Sequence, residues 1–341
     1  MKKIIVSISL LLIGTIVTAQ GNESKVDQIG VANNGVVLQT GLSNTSDVLQ
    51  NGSANAGDVF QLGTLNNADQ DQKGDSNSAK IDQIGTGHLA VQDQTGSFNN
   101  SYAEQGSAVN SSSQVQEGNS NRASVHQNKY FYIDWLDGST HKYATVGGNN
   151  SAKQTQIGDS NTAEASQGAW DVGGSNNSTS QNQVGNSNRS YSYQYVDSNF
   201  AKHDQIGDFN YSITSQYGDA NNADLSQNGN SNTSWSYQHG GFNNASINVV
   251  GDNNSSYTDQ YGDSNEAAIN QNGAVNYSFI QQYYGDENEA SSMQNGDSNR
   301  SEIYQFNGDL NFAATIQTGD LHTSYVNQNG GSNISNVVQS N

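Results

Sequence analysis

Glutamine returns every 11 residues through almost the whole chain. The series runs from Gln28 to Gln127, resumes at Gln156 and Gln167, and continues from Gln183 to Gln339, with Val249 in one glutamine place. Single residues are inserted near Tyr284 and Asn307. That makes about 26 units, and so long a fixed period demands one structural unit stacked on its own copies. Function is therefore to be sought in columns of equivalent residues.

Each unit reads Gln, any, Gly, any, any, Asn, any, Ala or Ser, followed by three variable residues, as in Gln227-Asn-Gly229-Asn-Ser-Asn232-Thr-Ser234. From the asparagine to the next glutamine the specified residues alternate, which is strand periodicity, and the glycine with its polar neighbours reads as a turn. The position two before each glutamine then doubles the period: Thr214, Leu225, Ser236, Ile247, Thr258 and Ile269 alternate polar with apolar. Gln70, Ile81, Gln92, Ala103, Gln114 and Val125 do the same nearer the N-terminus. The expected fold is all-β, a β-solenoid with two strand-turn units per 22-residue rung and cross-β stacking. Identical residues then lie about 4.8 Å apart, so inward amides can bond to their copies above and below. Gln205, Asn210, Gln216, Asn221, Gln227, Asn232, Gln238 and Asn243 are assigned to that inward ladder. The terminal rungs are unpaired edges that invite another copy to add.

Composition fits a chain that is interior strand nearly throughout. The 341 residues include no proline, where average usage gives roughly 17, and proline removes the N–H a sheet ladder needs. Cysteine is also absent, so disulfides do not hold the chain together. A formal charge of -20 argues against nucleic acid or an anionic membrane as partner. Only 32% of residues are hydrophobic, which without the periodicity would suggest disorder. The first residues, MKKIIVSISLLLIGTIVTAQ, place Lys2 and Lys3 before an apolar run and end in small residues. This reads as a secretory signal peptide over residues 1–19, with the mature chain starting near Gln20 and leaving the cytoplasm.

The repeats resemble those of the curlin family, bacterial extracellular amyloid subunits with Gln-x-Gly, Asn-x-Ala or Ser, and a closing Gln. Gln61-Leu-Gly63 with Asn66-Asn-Ala68, and Gln294-Asn-Gly296 with Asn299-Arg-Ser301, fit position by position. The resemblance implies secretion as an unfolded chain, nucleated self-polymerisation outside the cell, and a role in biofilm matrix and adhesion. By the same resemblance, the partners are the chain itself, a nucleator subunit and an outer-membrane secretion channel. A monomeric secreted solenoid adhesin binding glycan or a host surface is the alternative.

Several features stand outside the ladder. The histidines are scattered without metal-ligand spacing, and no nucleophile elbow or phosphate loop is present, so neither cofactor nor enzymatic activity is expected. Repeats fill 20–127 and 147–341; the aromatic insert at 128–146 contains Asp137-Gly138, a hairpin signal, and a shorter insert occupies 168–172. Both inserts occupy turns on adjacent rungs, which places Trp135 and Trp170 together as a candidate adhesive patch. Tyr191, Ile213, Trp235, Tyr257 and Phe279 share one outward position on successive rungs and form a candidate adhesion ladder. Asp263, Asp286 and Asp309 line one edge, where like charges can restrain assembly and calcium could relieve them.

Overall fold

The structure is a computed structural model that describes residues 21–128, 132–133, 140–141, 147–168 and 174–341. Residues 1–19, read from the sequence as a signal peptide, and Trp135 and Trp170 lie outside the described residues. Among the described residues two parallel sheets, of 14 and 13 strands, form the walls of a β-solenoid, and each strand pairs with the strand two places along the chain. Consecutive strands thus alternate between the walls, and a rung comprises one strand from each.

Register is in phase throughout. Gln28 pairs with Gln50, and Gln205 with Gln227, a separation of 22 residues in each case. After the insertion at Tyr284 the separation becomes 23, as in Gln271 with Gln294, yet like still faces like. Register continues across the long insert: Ser111 to Glu117 pairs with Ser151 to Ile157, and Gln127 pairs with Gln167. Within that insert, Tyr132 and Ile133 pair antiparallel with His141 and Thr140.

Alternation along each strand sends one residue set into a thin interior. Ala201, Ser212, Ala223 and Ser234 are buried there, small enough to let the sheets approach. Leu225, Ile247 and Ile269 stack on one wall while Thr214, Ser236 and Thr258 stack on the other, all buried. Val48, Val59, Ile81 and Ala103 belong to a second apolar cluster nearer the N-terminus. Each buried Leu or Ile contributes about 1.5–3 kcal/mol, and between these clusters a smaller one of Val125, Ala152 and Ala165 is set among buried amides and hydroxyls.

The turn is built around two positive-φ residues, one residue apart. Gly229 has φ 138°, and a Cβ there would lie 2.0 Å from the carbonyl oxygen of Gly251 on the next rung, so glycine is obligatory on two counts. Two places further on, Ser231 has φ 57°. Phe209, Ala220 and Phe242 hold the same conformation at φ 56–60°. A left-handed L-residue costs roughly 1–2 kcal/mol, so the bonds made by the asparagine that follows must offset that strain.

Candidate assembly site

Two kinds of surface on this column can meet another molecule: the hydrogen-bonding face that each rung offers the next, and the outward faces of the sheets. The first is made of the glutamine and asparagine columns. All eight residues assigned to the ladder, from Gln205 to Asn243, are at most 1% exposed. Gln205 Nε2 donates to Gln227 Oε1 at 2.9 Å and to the Arg189 carbonyl at 3.0 Å. Gln216 donates to Gln238 at 2.9 Å, and Gln238 to Gln260 at 3.0 Å. One proton of each amide climbs the column and the other ties the facing wall.

Gln227 departs from that pattern. Val249 occupies the next position, and Gln227 Nε2 donates instead to Ser234 Oγ at 2.9 Å and the Tyr211 carbonyl at 3.0 Å. Gln271, beyond the gap, accepts a proton from Ser256 Oγ at 2.6 Å. Serines of the opposite wall therefore close both broken ends.

The asparagines work differently. Asn188 Oδ1 accepts the backbone N–H of Asn210 at 2.9 Å, and Asn210 Nδ2 donates to the Gly229 carbonyl at 2.7 Å. Asn221 repeats this with Asn199 at 3.0 Å and Gly240 at 2.8 Å. Amide-to-amide bonds, such as Asn232 to Asn210 and Asn243 to Asn221 at 3.1 Å, are added to this clasp. The asparagine column is chiefly a side-chain-to-backbone clasp that holds each turn onto the turn of the next rung.

The edge aspartates are part of the same device. Asp286 Oδ1 accepts the backbone N–H of Asp263 at 2.7 Å, and Asp309 Oδ1 that of Asp286 at 2.9 Å. Asp263, Asp286 and Asp309 are thus brought together on consecutive rungs, exposed, each carboxylate tied to an amide of its neighbour. Among the described residues no cluster of His, Cys, Asp or Glu is arranged to hold a metal ion.

On the outward face of the 13-stranded sheet, Tyr191, Ile213, Trp235, Tyr257 and Phe279 stand in register on successive strands. Trp235 meets Tyr257 edge-on at 5.8 Å and Tyr257 lies 6.5 Å from Phe279. Beside them runs a longer ladder: Tyr195, Tyr217, His239, Tyr261, Tyr283 and Phe306, each ring within 4.2–6.3 Å of the next. Its signal in the chain is the residue directly after each glutamine, a position the repeat pattern leaves variable. Tyr193, Tyr237 and Tyr304 fill the strip between the two ladders. Burial among its neighbours pushes the Tyr193 phenol up to about 12, with Glu164 and the adjacent phenols adding to the effect. The corresponding part of the other sheet is mixed: Lys202 pairs with Asp204 at 2.7 Å and with Asp224 at 3.4 Å, followed by Ser246 and Ala268, while Ile206, Val250 and Met293 are exposed nearby.

The curlin associated repeat matches the chain at residues 52–85 and 262–291. No curated protein matches it.

Proposed function

We propose that this curlin-repeat protein is the subunit of a secreted amyloid fibre that forms at the bacterial cell surface, in biofilm matrix and in adhesion. The observation that supports this reading is that rungs near both ends of the column carry the same amide bond as rungs inside it. Gln28 Nε2 donates to Gln50 Oε1 at 2.8 Å near one end of the column, and Gln317 Nε2 donates to Gln339 Oε1 at 2.9 Å near the other. A rung from a second copy would meet the acceptors and donors that a rung of the same chain meets, in the same direction. Each amide bond closed when a rung is added contributes about 0.5–1.5 kcal/mol net, repeated over the side-chain and backbone bonds of the rung. A nucleator subunit and an outer-membrane channel are the partners such a life cycle calls for.

The broad aromatic face favours a second reading, a monomeric adhesin that binds glycan or a host surface through Trp235 and its neighbours. One experiment separates the two. The chain from residue 20 onward, diluted from denaturant, is expected to form fibres with a lag that preformed seeds abolish, and to diffract near 4.8 Å along the fibre axis. A refolded chain that stays monomeric at high concentration, with or without seeds, overturns the fibre reading in favour of the adhesin.

A further inference from the structure

The aromatic strip does more than present apolar area, because two of its phenol–phenol contacts are closer than the 5.3 and 5.4 Å that separate Tyr237 from Tyr217 and Tyr261. Tyr195 and Tyr217 lie 4.2 Å apart, centroid to centroid, with their planes 9° from parallel. Near-parallel rings at that separation are in face-to-face contact, which brings the ring carbons of one phenol against those of the other. Tyr261 and Tyr283 lie 4.3 Å apart, edge to face. The Tyr283 hydroxyl donates to Asp259 Oδ2. All four tyrosines are half-buried. The chain has no cysteine to intercept an oxidant.

We propose that Tyr195–Tyr217 and Tyr261–Tyr283 are modification sites at which the phenols couple oxidatively to dityrosine, the oxidant being hydrogen peroxide acting through a haem peroxidase. Each phenol of a pair gives up one electron and one proton to become a phenoxyl radical. The two radicals join through a new bond between ortho carbons, and the hydrogens displaced from those carbons return to the oxygens, restoring both phenols. Each pair thus loses two electrons and two protons, which reduce one peroxide to two waters.

Geometry supplies what this reaction lacks in a flexible chain. Phenoxyl radicals at separate points of a disordered polymer must find each other by diffusion, whereas here the partner is already in contact. Asp259 adds a proton acceptor at Tyr283, where a phenol losing an electron must also lose its proton. Burial pushes the Asp259 carboxyl up from its ordinary range, against the lowering effect of the bonds from Tyr283 and Gln281, which makes it a better acceptor than an exposed carboxylate. Both pairs lie within one chain, so the coupling does not depend on fibre formation. A link between strands 22 residues apart would tie successive rungs covalently.

The test is to treat the folded full-length chain with peroxide and a haem peroxidase, cut it at acidic residues, and map linked peptides by mass. The expected result is two dominant products, Tyr195–Tyr217 and Tyr261–Tyr283, each lighter than its separate peptides by two hydrogens. Tyr102, whose ring neighbour is His126 at 5.3 Å, should stay unlinked. Tyr217→Phe and Tyr283→Phe keep the ring and the strand, and each should abolish only its own product. Asp259→Asn should reduce the Tyr261–Tyr283 product several-fold and leave Tyr195–Tyr217 unchanged in the same digest. That loss should be recovered as the pH is raised and bulk base takes over the proton. A product pattern the same as that of the urea-unfolded chain, or no intrachain dityrosine at all, overturns the proposal.

Discussion

Gln205 donates to Gln227 at 2.9 Å, yet Gln227 passes nothing on to the next rung and turns its amide to Ser234 on the opposite wall. The ladder is therefore a set of finite runs whose broken ends are closed by hydroxyls, and its members differ in how much depends on them.

Gln227→Leu is expected to destabilise the column by about 1–3 kcal/mol, because Gln205 Nε2 loses its acceptor inside the interior. The adjacent Asn228→Leu, on an exposed outward position, should change stability by less than about 0.5 kcal/mol. Denaturant unfolding and seeded elongation rates of the two variants check this together; equal losses would refute the inward assignment.

At the turn, Gly229→Ala should cost about 3 kcal/mol or more, since it combines a strained left-handed backbone with a Cβ driven into the Gly251 carbonyl. Ser231→Gly is expected to act in the opposite direction. It relieves roughly 1–2 kcal/mol of left-handed strain against about 0.5–1 kcal/mol of added freedom in the unfolded chain. Melting temperatures of the pair should move apart, the alanine variant downward and the glycine variant upward.

His203 occupies the inward column between Gln181 and Leu225, bonded to Ser190, Ser212 and Thr214 hydroxyls at 2.6–3.0 Å. Burial lowers its pKa from 6.5 to about 3, and burial lowers that of His88 to about 4. The unfolded chain therefore takes up these protons first. Stability is full above pH 6.5 and falls by up to about 1.4 kcal/mol per pH unit for each histidine as the pH drops towards the folded values. His203→Gln, which continues the column of Gln154 and Gln181, should flatten the fall between pH 6.5 and 3. Unfolding curves at a series of pH values check it, with Asp69 and Asp93, whose carboxyls burial pushes up, contributing the opposite slope equally in both chains.

Replacing Trp235 and Tyr257 with Ser should leave elongation intact, because neither contributes to the amide columns. What should fall is lateral bundling and retention on a hydrophobic surface, by about 2 kcal/mol of lost burial per ring. Lys202→Ser with Asp224→Ser on the other sheet is the control. Bundle width by microscopy decides: equal widths for the two variants would assign the aromatic strip to strand formation alone.

The period of the glutamines and the two-residue alternation before them were enough to read out the strands, the 22-residue rung and the inward set, because burial in a thin two-walled column imposes those spacings directly. Two aspects were less legible. The left-handed residues at Phe209, Ala220 and Ser231 share no side-chain chemistry, since the strain there is offset by the following asparagine and not by the residue that bears it. The role of that asparagine was equally hidden: its bonds go to the backbone of the next rung, as from Asn210 to the Gly229 carbonyl, and a backbone partner leaves no signature in the chain. The ladder from Tyr195 to Phe306 was legible in principle, following each glutamine, but only a fold that brings every second unit to the same wall turns those scattered rings into a row.

The register that continues across the long insert also makes this column a mounting rail. Gln127 and Gln167 stay paired across that insert, and the backbone just before each insert is pinned by Asn128 N–H to the Gln167 carbonyl at 2.7 Å and by Gly168 N–H to the Gln194 carbonyl at 2.8 Å. A peptide or small domain grafted at either point would hang from a rigid stem, with a second graft anchored one rung away, about 4.8 Å along the axis. Two such cargoes would meet at the millimolar effective concentrations that short tethers confer.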